Sequence, residues 1–120
     1  MDDKQIPIEQ ARQVAIRNMQ TILTISEWAE VMGYRSSTFR RLCRKTFKQS
    51  AGKLLSEMRI TYIETLWISD PGLSAYELAK RAGLRDEKTL YQFLQTHLGY
   101  GARELRKEIQ SILQAQSEQN

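Results

Sequence analysis

Apolar residues recur at intervals of three and four along most of the 120-residue chain, which is the spacing of amphipathic α-helices. The first such segment predicts a helix whose recurring positions are Ile8, Arg12, Ala15, Met19 and Ile22/Leu23. The sequence lacks both the two-residue alternation of strands and the Asn-Gly or Asp-Gly signals of hairpins. The pattern therefore predicts an all-α protein.

The apolar positions of residues 50–68 cover more than one face of a helix. Pro71-Gly72 follows and is the only strong helix breaker in the middle of the chain. A helix that is apolar on several sides is buried between neighbours rather than lying on a surface. We therefore predict a long central linker helix, with apolar residues Leu54, Leu55, Met58, Ile60, Tyr62, Ile63, Leu66 and Trp67.

An internal repeat lies on the two sides of this linker helix. Thr24 with Glu27, and Ser74 with Glu77 fifty residues further on, both have the spacing of a capping box. In this motif the hydroxyl accepts a hydrogen bond from the amide three residues on, and the glutamate accepts one from the amide of the capping residue. Each pair therefore predicts the start of a helix.

Each capping box is followed by an alanine and, four residues later, a glycine. A small alanine lets a second helix approach closely, and glycine can adopt the positive φ that ends the first helix. A helix-turn-helix requires both. The sequence therefore predicts two helix-turn-helix units, with these residues at Ala29 and Gly33 in the first and Ala79 and Gly83 in the second.

The second helix of the first unit has an apolar side and a basic side. Ser36 or Ser37 is predicted to be its N-cap. At 100° per residue, the apolar side contains Phe39, Leu42, Cys43 and Phe47. The opposite side contains Ser37, Arg40, Arg41 and Arg44.

The charge of this region helps to decide what its basic side is for. The three interpretations are a solvated face, contact with a membrane surface and contact with a nucleic acid. Residues 35–53 include seven basic residues and no acidic one. Solvated faces usually carry both signs, and a membrane would need the apolar side that this helix uses for the core. Repulsion among like charges is tolerated when a polyanion neutralises them, and arginine can bind guanine in the major groove. The pattern favours nucleic acid.

Composition points the same way. The net charge of +4 and the pI near 9.4 favour a polyanionic partner. The single cysteine excludes an internal disulfide and fits a reducing compartment, and no apolar run approaches the roughly 20 residues of a membrane span. With one histidine, no glycine-rich phosphate loop and no metal-ligand cluster, we expect a cytoplasmic protein that is not an enzyme and binds no cofactor or metal.

Most other conspicuous side chains are predicted to pack in the core. Lys53 and Arg59 have two open interpretations, contact with phosphate or solubility of the linker helix. Asp86-Glu87 is predicted to start a helix, where carboxylates suit the positive end of the dipole. The residues assigned mostly to packing are Trp28, Tyr34, Cys43, Trp67 and His97.

The paired motifs resemble the DNA-binding domain of AraC/XylS-type bacterial transcription regulators. They are TISEWAEVMGYRSSTFRRLCRKTF and LSAYELAKRAGLRDEKTLYQFLQTHLG, joined by SEMRITYIETLWI. Phe39 follows Gly33 by six residues and Leu90 follows Gly83 by seven, the same offset that the family shows. The resemblance covers residues 8–106 and implies seven helices. We expect residues 8–66 to form the leading helix, the first unit and most of the linker, residues 67–106 the second unit and closing helix, and residues 107–120 a polar tail or helix extension.

The resemblance also implies which residues contact DNA. Gln92 stands where the family usually has a base-contacting arginine, and glutamine can bind adenine. Because Asp86 and Glu87 lie nearby, the first unit is expected to dominate. The base contacts implied are Ser37, Arg40 and Arg41 in the first unit and Glu87, Lys88, Thr89 and Gln92 in the second. Phosphate contacts are expected from Arg35, Ser36, Arg44, Lys45, Lys48, Lys53, Gln95 and Thr96.

The expected function is sequence-specific regulation of transcription through double-stranded DNA, in the bacterial cytoplasm at the nucleoid. A linker of about 18 residues spans roughly 27 Å, the right order for one chain to read two adjacent major grooves as a monomer unless a further domain dimerises it. The family implies activation through RNA polymerase. The alternative is a helix-turn-helix-derived protein-interaction module with weak or no DNA binding, motivated by the near-neutral second unit. The length fits both a stand-alone regulator and a domain of a longer one.

Overall fold

The helices predicted from the apolar spacing are present in the computed structural model of the protein, which describes residues 5–118 without the side chain of Ala102. Residues 119–120 of the expected C-terminal segment lie outside this range. The described residues form a short 3-10 helix at Ile8–Gln10, seven α-helices and no strand, so the all-α prediction is confirmed. The α-helices are α1 (Ala11–Arg17), α2 (Ile25–Met32), α3 (Ser36–Phe47), α4 (Ala51–Ser69), α5 (Ala75–Arg81), α6 (Glu87–Leu98) and α7 (Ala102–Glu118).

The predicted linker helix is α4, and the chain divides into two units within it. Unit 1 ends at residue 59 and unit 2 begins at residue 60. Buried side chains occur on more than one side of α4, as its apolar pattern predicted. They include Leu54, Leu55 and Met58 in unit 1 and Ile63 and Trp67 in unit 2.

Both predicted capping boxes are present. Thr24 Oγ1 accepts a hydrogen bond from the Glu27 amide at 3.1 Å, and the Thr24 amide donates to the Glu27 carboxylate at 2.9 Å. The corresponding distances between Ser74 and Glu77 are 3.1 and 3.4 Å. These bonds satisfy amides at the N-termini of α2 and α5 that have no partner within the helix.

The predicted turns also form in both units. In unit 1, Gly33 has a φ of 89°, and the Tyr34 amide donates to the carbonyl of the buried Ala29 at 2.9 Å. The left-handed residue lets the chain leave α2 while this bond satisfies a carbonyl at the helix end. The turn between α5 and α6 repeats the arrangement, with a φ of 81° and a distance of 2.8 Å, at Ala79, Gly83 and Leu84.

The core of unit 1 holds α3 against α2. The Trp28 and Phe39 rings pack edge to face with centroids 4.9 Å apart, and both side chains are fully buried. Trp28 Nε1 donates to the Ala11 carbonyl at 3.1 Å, which also ties α1 to α2. The Tyr34 hydroxyl donates to the Ile6 carbonyl at 2.8 Å. The packing roles predicted for Trp28 and Tyr34 are confirmed.

The core of unit 2 is built around Trp67. Its indole Nε1 donates to the Leu73 carbonyl at 3.1 Å, and the Arg106 guanidinium lies 5.0 Å from its ring centroid. Arg106 also donates to the carbonyls of Leu73 and Pro71, at 2.8 and 3.2 Å, so α7 is tied to the loop that enters α5. The cluster comprises Ile63, Trp67, Leu73, Leu78, Ala79, Ala82, Leu90, Leu94, Leu105 and Ile109.

The first helix is shorter than predicted. Met19 and Ile22 are buried as expected, but α1 ends at Arg17, and Leu23 is 54% exposed. Asn18 ends the helix: its side-chain amide donates to the Val14 carbonyl at 2.8 Å. The extension of the helix to residue 23 was therefore wrong.

The buried side chain of Arg59 holds the segment that follows α1 through hydrogen bonds to its backbone. Both open interpretations, phosphate contact and solubility, are wrong because Arg59 is only 5% exposed. Its guanidinium donates to the Met19 carbonyl at 3.2 Å and to the Ile22 carbonyl at 2.8 Å. Burial lowers the pKa of Arg59, although an arginine in a folded protein stays charged. The buried cation thus satisfies two carbonyls that no helix satisfies.

Cys43 and His97 were both predicted to pack in the core, and the structure confirms only the prediction for Cys43. Cys43 is fully buried, and burial raises the pKa of its thiol to about 11, so it stays protonated near neutral pH. His97 is exposed, contrary to its assignment to the core, and its ring lies 4.5 Å from that of Phe93.

Candidate nucleic-acid interface

Helix α3 presents a cationic side to solvent because its opposite side is held in the core. Phe39 and Cys43 are fully buried, and Leu42 and Phe47 are half-buried. The residues of the predicted polar side are exposed. The exposed side chains on or next to α3 are Arg35, Ser37, Arg40, Arg41, Arg44, Lys45, Thr46 and Lys48.

The cations on α3 are not neutralised. Within residues 5–118, Arg40, Arg41, Arg44 and Lys45 form no ion pair or side-chain hydrogen bond. Like charges on neighbouring turns repel one another by a few tenths of a kcal/mol per pair. The positive charge of these side chains is therefore not balanced by the protein within the described residues. A polyanion would neutralise it.

The N-terminus of α3 differs from the prediction. Neither Ser36 nor Ser37 is the N-cap: the helix begins at Ser36, and Arg35 is the N-cap without a side-chain hydrogen bond. Ser36 fails to cap because its hydroxyl donates to the Ser26 hydroxyl on α2, at 3.0 Å. The first amides of α3 consequently lack a side-chain acceptor, and an arginine lies beside them. Such an end attracts anions through its partial positive charge.

The N-terminus of α6 has the opposite character. Asp86 is its N-cap, and one carboxylate oxygen accepts from the amide and the hydroxyl of Thr89 at 2.9 and 2.8 Å. These two bonds lower the pKa of Asp86, which therefore remains a carboxylate. Arg85 lies 3.6 Å from the same side chain. The predicted helix start at Asp86 is confirmed, and it places a negative charge where α3 has a positive one.

The outer side of α6 is mixed. Glu87 accepts a hydrogen bond from the Tyr91 hydroxyl at 3.2 Å, and the Gln95 side chain donates to the Gly99 carbonyl at 3.2 Å. Thr89 is half-buried, with its hydroxyl directed to Asp86. The exposed side chains of α6 that form no hydrogen bond within the described residues are Lys88, Gln92, Thr96 and His97.

Unit 2 also contains a groove between α6 and α7, which we call the α6–α7 groove. It has a volume of about 880 Å³. The buried Trp67 contributes to its apolar lining. Its walls include Tyr91, Gln92, Gln95 and Thr96 of α6 and Arg103 and Lys107 of α7.

Two further findings concern other kinds of site. None of the described helices is long and apolar enough to cross a bilayer. Among the described residues, no three histidine, cysteine, aspartate or glutamate side chains lie together in a way that could hold a metal ion.

Several solved structures share this arrangement of helices, although no protein-family model and no curated protein matches the chain. The C-terminal domain of AraT, a response regulator from Geobacillus stearothermophilus, superposes with a TM-score of 0.73 at 20% identity, over 84% of both chains. An AraC-type regulator from Chromobacterium violaceum gives 0.70 at 16% identity, over 85% of this chain and 90% of that one. The DNA-binding domain of AdpA, solved in complex with a target DNA, gives 0.72 at 18% identity, over 88% and 95%. The protein has the fold of an AraC-type DNA-binding domain.

In this AraC-type fold, the residues predicted to read bases lie on α3 or α6, the second helix of each helix-turn-helix unit. All except Thr89 are exposed. Of the residues predicted to contact phosphate, Ser36 is half-buried, and Lys53 is exposed on the first turn of α4. The structure brings the unit 1 residues Arg35 to Lys48 together on one helix and its two ends.

The sequence reasoning missed the exposed cations of α7. Lys107 lies four positions after Arg103, so both residues are on the same side of α7. That spacing was visible in the sequence. What was not visible is that α7 packs beside α6, so that both residues share a groove with Gln92 and Thr96.

Proposed function

We propose that the protein is a sequence-specific double-stranded DNA-binding regulator of transcription. The observation that carries the proposal is α3: an exposed side with Arg40, Arg41, Arg44 and Lys45 on a helix whose other side is locked into a helix-turn-helix core. A helix of about 10–12 Å diameter fits the major groove of B-DNA. The fold supports the same conclusion, since one of the similar structures is the AdpA domain in complex with its target DNA.

The chemistry of each side chain suggests its role on DNA. Arg40 and Arg41 project from the outer side of α3, where a guanidinium can donate two hydrogen bonds to guanine O6 and N7. Ser37 lies one turn earlier on the same side. Phosphate contacts are proposed for residues next to the uncapped N-terminus and along the edges of the helix, where they fix its register without reading sequence. These residues are Arg35, Ser36, Arg44, Lys45, Lys48 and Lys53.

The second unit is proposed to read DNA with fewer charges. Gln92 and Lys88 are exposed on α6, and glutamine can make paired hydrogen bonds with adenine. Glu87 can accept from cytosine N4, while Thr89, Gln95 and Thr96 would supply weaker polar contacts. Because Asp86 and Glu87 repel phosphate, we propose that the first unit dominates affinity.

We further propose that one molecule covers two adjacent major grooves. The two helix-turn-helix motifs form a direct repeat in the sequence of one chain, whereas a dimer binds with two identical copies of one motif. The preferred site is therefore asymmetric rather than palindromic. Activation through contact with RNA polymerase is the output implied by the resemblance to AraC/XylS-type regulators. A reporter placed downstream of the selected site, measured with and without the protein, distinguishes activation from repression.

The decisive experiment is selection of bound duplexes from a random pool, followed by footprinting and by mass measurement of the complex at limiting protein. A single protein that protects two neighbouring major grooves of an asymmetric site supports the proposal. Failure to enrich any duplex at low salt would contradict DNA binding and favour the protein-interaction module. A strict requirement for two proteins on a palindrome would retain DNA binding but contradict the one-molecule arrangement.

A further inference from the structure

The α6–α7 groove places two exposed cations next to the recognition helix of unit 2. Arg103 and Lys107 line the groove from α7, and Gln92, Gln95 and Thr96 line it from α6. Both cations are exposed, and neither has an ion-pair or hydrogen-bond partner within the described residues. Their charge is therefore available to a ligand that approaches the outer side of α6.

The third cation of this region has a different role. Arg106 lies against Trp67 and donates to the carbonyls of Leu73 and Pro71, so its guanidinium is occupied by the protein. Glu104 also lines the groove and offsets one positive charge. Arg106 thus holds α7 in place, whereas Arg103 and Lys107 are the two cations of the groove that form no ion pair or hydrogen bond within the described residues.

Helix α6 cannot hold a phosphate backbone electrostatically by itself. Lys88 is the only lysine or arginine of α6, and Glu87 opposes it. Immediately before the helix, Arg85 is paired with Asp86. A recognition helix in a major groove has phosphates along its edges, and those phosphates need cationic partners. The available cations on the α7 side of α6 are Arg103 and Lys107.

We propose that the closing helix α7 supplies the phosphate contacts of the second unit, with Arg103 and Lys107 bound to the DNA strand that borders the major groove read by α6. The groove suits this occupant because a nucleic-acid strand presents both apolar sugar surface and phosphate. Tyr91 and Trp67 offer apolar lining, and the two exposed cations line the same groove. This inference rests on the proposed function and adds a DNA contact that α6 does not contain.

The test uses the double variant Arg103→Gln with Lys107→Gln in the full chain, on the duplex selected by the wild-type protein. Two lost phosphate contacts should lower the slope of log affinity against log salt by about two and weaken binding roughly tenfold or more at 0.1 M salt. Phosphate ethylation interference should disappear in the half-site of unit 2 only. The charge-retaining variant Arg103→Lys with Lys107→Arg should keep most of the slope.

The matched control removes the same two charges from α5, as Lys80→Gln with Arg81→Gln, both of which are exposed. Equal losses of slope in the control and the test variant would overturn the proposal, because they would reflect net charge alone. An unchanged slope and ethylation pattern in the test variant would also overturn it while leaving DNA binding intact. If the wild-type protein enriches no duplex, the proposed function and this inference both fail. Thermal unfolding of each variant checks that α7 remains folded.

Discussion

Lys48 and Gly99 end α3 and α6 with the same backbone conformation. Lys48 has a φ of 62° after α3 and Gly99 a φ of 79° after α6, and each amide donates at 3.0 Å to the carbonyl four residues earlier. Lys48 is the only described residue other than glycine with a positive φ. An L-residue in this region is strained, whereas glycine is not.

We expect Lys48→Gly to raise the free energy of unfolding by about 1 kcal/mol, because the relieved strain exceeds the added entropy of the unfolded chain. Gly99→Ala should lower it by a similar amount, and the cause would be φ alone, since a Cβ at Gly99 would meet no atom within 4 Å. Lys48→Ala, which removes the charge but keeps the strain, is the control and should change stability little. Urea unfolding of the three variants checks this, and a loss of stability in Lys48→Gly would contradict it.

A second prediction concerns the buried cation of unit 1. Arg59→Met should lower the free energy of unfolding by about 3 kcal/mol, because two charge-assisted hydrogen bonds to the carbonyls of Met19 and Ile22 are lost and both carbonyls stay largely desolvated. The free energy of unfolding of Arg59→Lys should lie between those of the wild type and Arg59→Met, since a single ammonium cannot reproduce the guanidinium fork. Arg17→Met, at an exposed position on α1, is the matched control and should stay within about 0.5 kcal/mol. Equal stability of Arg59→Met and the control would show that the buried bonds contribute nothing net.

Local signals were enough to predict the capping boxes and the turns. Thr24 and Glu27 are three residues apart, and Ala29 and Gly33 are four apart, so the interactions they predict are fixed by helix geometry. Their repetition in the second unit allowed the two helix-turn-helix units to be predicted as well. The cationic side of α3 followed from the same periodicity, because Phe39 and Cys43 determine which side is buried.

Contacts between residues far apart in sequence could not be predicted. Arg59 bonds carbonyls 37 and 40 residues away, and Arg106 bonds one 33 residues away. The spacing of residues along a helix predicts contacts only between near neighbours in the sequence and gives no sign of such distant partners. The same limit explains the error at the start of α3, where Ser36 has good capping chemistry but its hydroxyl bonds Ser26 on α2 instead. Tertiary structure overrode the local preference at these positions.

A third prediction concerns pH. Half-buried Glu64 has a raised pKa, first because it is desolvated and second because Glu108 is nearby. The folded state therefore favours the protonated form of Glu64. The stability that this preference contributes is fully present below the pKa of a glutamate in the unfolded chain, about 4.3. It is lost as pH rises through the pKa of Glu64 in the folded protein. Glu64→Gln should thus raise the unfolding temperature at pH 7, and the difference from wild type should vanish near pH 4. Glu57→Gln, at an exposed position on α4, should show a much smaller change, and a pH-independent gain in Glu64→Gln would contradict the assignment.

A fourth prediction separates reading of bases from contact with phosphate. Arg40→Ala and Arg41→Ala should each weaken binding to the selected duplex by about 1–3 kcal/mol and weaken binding to random DNA far less, because a bidentate guanine contact exists only at the correct base. Competition binding against both DNAs at one salt concentration measures the ratio. Equal losses on the two DNAs would assign these arginines to phosphate instead.

The last prediction is that α3 and α6 contribute unequally to the electrostatic part of the proposed DNA binding. Arg44→Ala with Lys45→Ala should lower the slope of log affinity against log salt by about two, since each substitution removes one of the phosphate contacts proposed for α3. Lys88→Ala with Gln92→Ala, the corresponding pair on α6, removes one charge and should lower the slope by about one at most. The α6 pair should instead alter which sequences are enriched in a second selection, because Gln92 is assigned to a base. The α3 pair should leave the enriched sequence unchanged while lowering affinity on every duplex. A larger loss of slope from the α6 pair would contradict the proposal that the first unit dominates affinity for DNA.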